Sequence, residues 1–215
     1  MLKSGAIKYL IVSIFEKETH LHHMKSTPQH LLESLSHIAP MDAGEMSLFL
    51  DGAQQQIVKR DDYLLQEGRR CHYIWFIETG ACRAFYDNGK KETNTAFYFE
   101  NTFFTNLNSL RNNVSSPYNI QAMEGTTLWR WHKDELSRLY GISPGIVVFG
   151  RQWLEHLLIT QETHNDWLKK NSPEERYQSI LTHQPELIQR VSLTQLSSYL
   201  GISRETLSRI RRRIQ

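Results

Sequence analysis

The residues of this 215-residue chain best equipped for chemistry with nucleic acid lie at its C-terminal end. Among residues 201–215, Arg204, Arg209, Arg211, Arg212 and Arg213 stand against one acid, Glu205, a local charge of +4 in a chain whose net charge is +2. The remaining residues are therefore slightly acidic. A guanidinium can grip guanine O6 and N7 with two parallel donors, and a carboxylate can accept from cytosine N4. Successive cations also suit a row of phosphates. The candidate DNA-contacting set is Ser203, Arg204, Glu205, Thr206, Ser208, Arg209, Arg211, Arg212 and Arg213. A solvated basic helix end, favoured by the helix dipole, is the plainer account of the arginines alone.

The residues before them decide between these readings. A helix-turn-helix needs a glycine, or another residue tolerant of positive φ, between its helices. Gly201 occupies that place. Leu196, Leu200, Ile202, Leu207 and Ile210 recur at the spacing that locks two helices together, Ser197 is small where they cross, and Ser203 can cap the second helix. A plain helical hairpin would have no use for the arginine-rich face.

Upstream elements must carry and position this motif. Ser172, Pro173 and Glu175 form a helix-start signature, with a capping serine, proline at the first helical position and glutamate three residues after the cap. Before it, residues 144–170 read as one long helix whose apolar stripe is wide enough to bury against the barrel on one side and a partner helix on the other. Ile146, Gly150, Trp153, Leu154 and Leu157 are the candidate dimer face. From Gln54 to about Leu136, seven short alternating runs separated by turn residues predict a sandwich or barrel, and Asn88-Gly89 is the clearest hairpin signal. The expected divisions are an extension over 1–23 ahead of Met24, a β domain over 24–143, a dimerisation helix over 144–171 and a DNA-binding unit over 172–215.

Composition bounds the alternatives. With 40% hydrophobic and 22% charged residues the chain is an ordinary globular protein. Two cysteines, Cys71 and Cys82, are too few for a zinc site or iron-sulfur cluster and fit a reducing cytoplasm. The apolar run Tyr9 to Phe15 is too short to span a bilayer, so no membrane partner is expected. A cupin-like metal enzyme would need converging histidines on its strands, yet the only His-x-His pair is His20 and His22, in the N-terminal extension. A dimeric interaction module without sequence-specific DNA binding is the third reading.

A β-roll, a long helix and a C-terminal Ser-Arg-Glu-Thr-Leu-Ser-Arg-Ile segment together resemble the Crp/Fnr superfamily of bacterial transcription regulators. The likeness runs from about residue 25 to 215, with Leu65-Gln66-Glu67-Gly68 and Phe76-Ile77-Glu78-Thr79-Gly80 as its β-roll signatures. It implies an α+β protein. The parts would be a jelly-roll-like double-stranded β-helix, a central dimerisation helix and a winged-helix-like helix-turn-helix domain. A cytoplasmic homodimer would place two recognition helices in successive major grooves of a pseudo-palindrome, with RNA polymerase as a further partner.

Cyclic-nucleotide binders of that superfamily hold ligand phosphate with a Gly-Glu-Leu segment and a later Arg-Ser or Arg-Thr pair. Here Thr105-Asn106-Leu107 and Ser116-Pro117 stand in those places, and Arg111 lies five residues early, so cyclic AMP is not expected. The N-terminal cysteine cluster of the oxygen-sensing branch is missing. His72 and His132 read more simply as hydrogen-bonded histidines than as haem ligands. The plainer account of the aromatic residues of the β domain is that they fill the roll. If an unknown effector exists, Phe97, Phe99, Phe104, Asn106, Tyr118 and Trp129 are its candidate pocket, with Trp75, Phe103 and Trp131 nearby, and an apolar or weakly polar ligand is implied. No cofactor or metal is assigned.

Overall fold

A computed structural model describes residues 29–214. The expected extension over 1–23, with His20 and His22, lies outside the described residues. Two short helices come first, α1 (Gln29–Ile38) and α2 (Ala43–Asp51). Eight strands follow: β1 (Gln54–Val58), β2 (Tyr63–Leu65), β3 (Tyr73–Thr79), β4 (Cys82–Asp87), β5 (Glu92–Tyr98), β6 (Phe103–Phe104), β7 (Asn119–Ala122) and β8 (Thr126–His132). The helix α3 (Leu107–Asn112) interrupts them after β6. Then come α4 (Lys133–Ile142), α5 (Pro144–Lys170), α6 (Pro173–His183), α7 (Pro185–Arg190), α8 (Leu193–Tyr199) and α9 (Arg204–Ile214).

All seven expected strands form, and the long helix has the expected ends. The additional strand, β6, is two residues long, too short for alternation to reveal. The strands make two antiparallel four-stranded sheets, ordered β1-β8-β3-β6 and β2-β7-β4-β5. This is the β-roll. At the β4–β5 hairpin the Asn88 side chain accepts from the backbone of Lys90 and Lys91, and Gly89 takes φ +76°. The hairpin is braced below by a buried arginine. Arg83 on β4 pairs with Glu92 on β5 and donates to Gln121 on β7 at 2.8 Å. Burial of such a charge is tolerable because its donors are met by several acceptors.

Two apolar cores exist. In the first, α2 and the N-terminal half of α5 cover the outer face of the β1-β8-β3-β6 sheet. Phe49 stacks on Trp131 at 4.8 Å, Phe149 and Trp153 meet Phe103 edge-on, and the Trp131 indole donates to the Phe49 carbonyl at 2.7 Å. Glu45 of α2 clips the start of α5, accepting from the Ser143 hydroxyl at 2.9 Å and the Gly145 amide at 2.7 Å. These bonds, Ser143 foremost, hold the Glu45 carboxyl below its ordinary range. The second core joins Tyr177, Ile180, Leu187, Leu196, Leu200, Leu207 and Ile210 from the last four helices. Every strand among the described residues belongs to the roll, so the C-terminal unit is helical there and no wing accompanies it.

The placement of α5 revises the expected dimer face. Ile146 and Trp153 are 0% and 3% exposed within one chain, packed on the chain's own roll. Gly150 is small for an internal reason, since a Cβ there would lie 2.6 Å from the Tyr140 hydroxyl of α4. The stripe buries against the roll on one side as expected, but periodicity does not say which of its residues face the roll and which are left for a partner. Leu154 and Leu157 are half-buried, and the exposed apolar residues of α5 are Val147, Leu158 and Ile159.

Candidate nucleic-acid interface

The helix-turn-helix forms as its residues require. Ser192 caps α8, closing a capping box with Gln195. At the other end of α8 the Ile202 amide donates to the Ser197 carbonyl at 3.0 Å and the Gly201 amide to the Ser198 carbonyl at 3.1 Å, with Gly201 at φ +70°. This paired bonding is the Schellman ending, which demands the left-handed conformation at that residue. Arg176 reaches across from α6 to donate to the freed Leu200 carbonyl at 2.7 Å. The Ser203 hydroxyl then accepts from the Thr206 amide at 3.1 Å and starts α9.

Leu196, Ser197, Leu200, Leu207 and Ile210 are buried between the two helices, and Ile202 is half-buried. Ser203, Arg204, Glu205, Arg209, Arg212 and Arg213 are exposed, while Thr206, Ser208 and Arg211 are half-buried. The outer face of α9 is therefore a free polar surface. The Glu205 carboxyl is held below its ordinary range, first by its own backbone amide and then by Ser203, so at neutral pH it only accepts hydrogen bonds. Arg213 is drawn 3.5 Å from Glu174 of α6, which separates it from its neighbours.

The candidate pocket residues do not converge. Phe97 and Phe99 join the second core, facing the helical unit. Trp75, Phe104 and Tyr98 stack inside the roll, with ring centres 5.6 and 4.5 Å apart. Asn106 caps α3 and donates to the Ser116 hydroxyl at 2.8 Å, so two positions that the resemblance assigns to ligand are bonded to each other. Tyr118 meets Tyr86 edge-on, and the Trp129 indole donates to Glu78 at 2.9 Å. Phe103 and Trp131 belong to the first core. A cleft of about 550 Å³ lies elsewhere, between β2 and the segment leading into β3, and it is lined by charged as well as aromatic groups, including Arg69, Arg70, Asp61 and Trp75. Arg111 lines a different cleft of about 270 Å³ against α4 and α5.

His72 and His132 stack on each other at 5.8 Å, and His132 caps α4. Burial and the nearby Lys133 keep the His72 imidazole below its usual range. Burial pushes the Cys82 thiol up to about 12, which makes it unreactive. Among the described residues no three His, Cys, Asp or Glu side chains gather as a metal site. None of their helices is long and apolar enough to cross a membrane.

Sequence reasoning missed the seam between the helical unit and the roll. Arg190 at the end of α7 donates to both oxygens of Glu100, at 2.6 and 2.9 Å, and also pairs with Glu124. Ser198 and Tyr199 of α8 contact β5 and α5. These partners lie 35 to 106 residues apart along the chain, and no local signal announces them.

Residues 55–142 match the family model of the cyclic nucleotide-binding domain. No curated protein matches the chain in sequence. Among solved structures, the c-di-GMP responsive global regulator CLP of Xanthomonas campestris aligns at TM-score 0.62 and 19% identity, over 81% of this chain and 92% of its own. A CooA variant from Carboxydothermus hydrogenoformans aligns at TM-score 0.61 and 18% identity, over 88% and 85%. The catabolite activator protein of Thermus thermophilus aligns at TM-score 0.53 and 20% identity, over 84% and 86%. Residues 55–142 thus match the cyclic nucleotide-binding domain, and over most of its length the chain has the fold seen in solved Crp/Fnr-family regulators.

Proposed function

We propose that the protein is a DNA-binding transcription regulator of the Crp/Fnr type, acting as a homodimer on a pseudo-palindromic site. The observation that carries this reading is the outer face of α9, where Arg204, Glu205 and Arg209 project from a helix that Gly201 and Ser203 set at a sharp turn from α8. Arg204 and Arg209 are the candidates for guanine, Glu205 for cytosine, and Arg211 and Arg212 for phosphate. The dimer face is reassigned to the exposed Val147, Leu158 and Ile159 of α5, bordered by Leu154 and Leu157. Cyclic AMP is not a ligand in this reading. Asn106 and Ser116 satisfy each other and supply no cation to a phosphodiester. RNA polymerase as a partner, and the cytoplasm as the location, rest on the resemblance alone.

The test is binding to a pool of random duplexes, followed by titration of the selected site at two salt concentrations. Specific binding that weakens steeply with salt is expected, and Arg209→Ala should lose about 1 to 3 kcal/mol of discrimination at one base pair. A flat salt response with no selected site would favour the interaction-module reading. Leu158→Glu should convert dimer to monomer in sedimentation.

A further inference from the structure

The seam attaches the helical unit to the roll at several points along β5 and at the turns that follow β5 and β7. At one end, the Ser198 hydroxyl accepts from the Asn94 amide and donates to the Glu92 carbonyl, both at 2.9 Å. β5 is an edge strand, so this hydroxyl fills edge positions that a further strand would otherwise occupy. In the middle, Tyr199 meets Phe97 edge-on at 5.4 Å and stacks on His164 of α5 at 5.2 Å. At the far end, Arg190 grips Glu100 and Glu124 and lies 5.0 Å from the Phe99 ring. Glu100 is itself held from behind by the Gly80 amide at 2.8 Å. Gly80 must be glycine, because a Cβ there would fall 2.5 Å from the Thr126 hydroxyl.

From Glu92 to Tyr98 the extended strand β5 spans about 20 Å, and Glu100 lies just beyond its end. A body held at both ends of such a length, and by α5 to one side, is restrained in rotation as well as in translation. The attachments use Arg190 of α7 and the last residues of α8, and leave the arginine face of α9 open. They therefore fix the direction of that face without covering it.

We propose that Arg190, with Glu100 and Glu124, is a positioning clasp that sets which half-site spacing the dimer accepts. This rests on the DNA-binding reading above. Each base pair added between half-sites moves one of them by about 3.4 Å and turns it by about 34°, which a rigidly mounted recognition helix does not follow. A loosened helix follows such a change but lowers the effective concentration of the second contact.

The experiment uses the full-length protein and duplexes bearing the selected half-sites with the spacer varied one base pair at a time, together with a single half-site duplex. The wild-type protein should show one preferred spacer. Arg190→Ala should weaken binding at that spacer about tenfold, flatten the preference across neighbouring spacers, and leave single-half-site affinity unchanged. Adding Glu100→Gln to Arg190→Ala should change nothing further, and Arg190→Lys should restore part of the preference. If Arg190→Ala unfolds the helical unit, Glu124→Gln breaks one arm alone and should broaden the spacer preference in the same direction. An unchanged spacer profile in a folded variant overturns the clasp and leaves the DNA reading standing, as does tighter binding at the original spacer. A wild-type protein that selects no duplex at any spacer overturns both.

Discussion

The two halves of α5 carry one apolar stripe and serve two different cores. The N-terminal half, with Ile146, Phe149 and Trp153, is sealed against the roll, and the Glu45 clip holds its start. The C-terminal half presents His164 and Trp167 to Tyr199 and so belongs to the seam with the helical unit. Between them, Leu158 and Ile159 are 70% and 62% exposed. The difference shows that burial depth sorts the roles along a uniform helix. Full burial goes with the fixed platform, partial burial with the seam, and exposure with the proposed partner.

The largest expected effect strikes the platform. Trp153→Ala should cost about 3 to 5 kcal/mol, because a fully buried indole is replaced by a cavity the surroundings only partly close. Chemical denaturation with near-ultraviolet detection would show the roll itself unfolding earlier. If the loss stayed under about 1 kcal/mol, the site would be tolerating a cavity as a seam does. Trp167→Ala is the matching change in the seam and should cost about 1 to 2 kcal/mol through lost aromatic contacts. Hydrogen exchange should rise in α8 and at the Asn94 amide while β3 and β8 keep their protection.

The smallest and most graded effect is pH. Burial keeps the His164 imidazole below its usual range, and hydrogen bonding to Arg190 keeps the Glu100 carboxyl below its own. For both groups the unfolded form binds more protons between the two values, so the seam is strongest near neutrality and weakens as pH falls. His164 contributes first, below about 6.5, and Glu100 only below about 4.3. Exchange at α8 amides should accelerate across the first window in the wild-type protein and much less in His164→Phe. A pH-independent seam would show that neither group changes its proton between docked and released forms.

Legibility in the sequence follows the range of the interactions. The helix-turn-helix was readable because Leu196 to Ile210 is a contiguous segment whose turn, cap and apolar spacing are satisfied locally. The same holds for the hairpin at Asn88-Gly89, where side-chain acceptors lie within three residues of their donors. The pocket set failed for the opposite reason. Aromatic residues along alternating strands announce burial, yet Phe97 and Phe99 face a different core from Phe103 and Trp131.

What the sequence determined by itself is therefore the order of the seven longer strands, the long helix and the helix-turn-helix, and the placing of a basic helix behind a glycine turn. These rest on backbone preferences and on periodicities of two and 3.6 residues, which act over a few positions. Tertiary structure alone decided what covers each apolar face: the roll over Trp153, Tyr140 against Gly150, and β5 beneath Ser198 and Tyr199. It also decided that Arg190 meets Glu100 across 90 residues, since an ion pair needs only proximity and the packing of the helical unit on the roll supplies it.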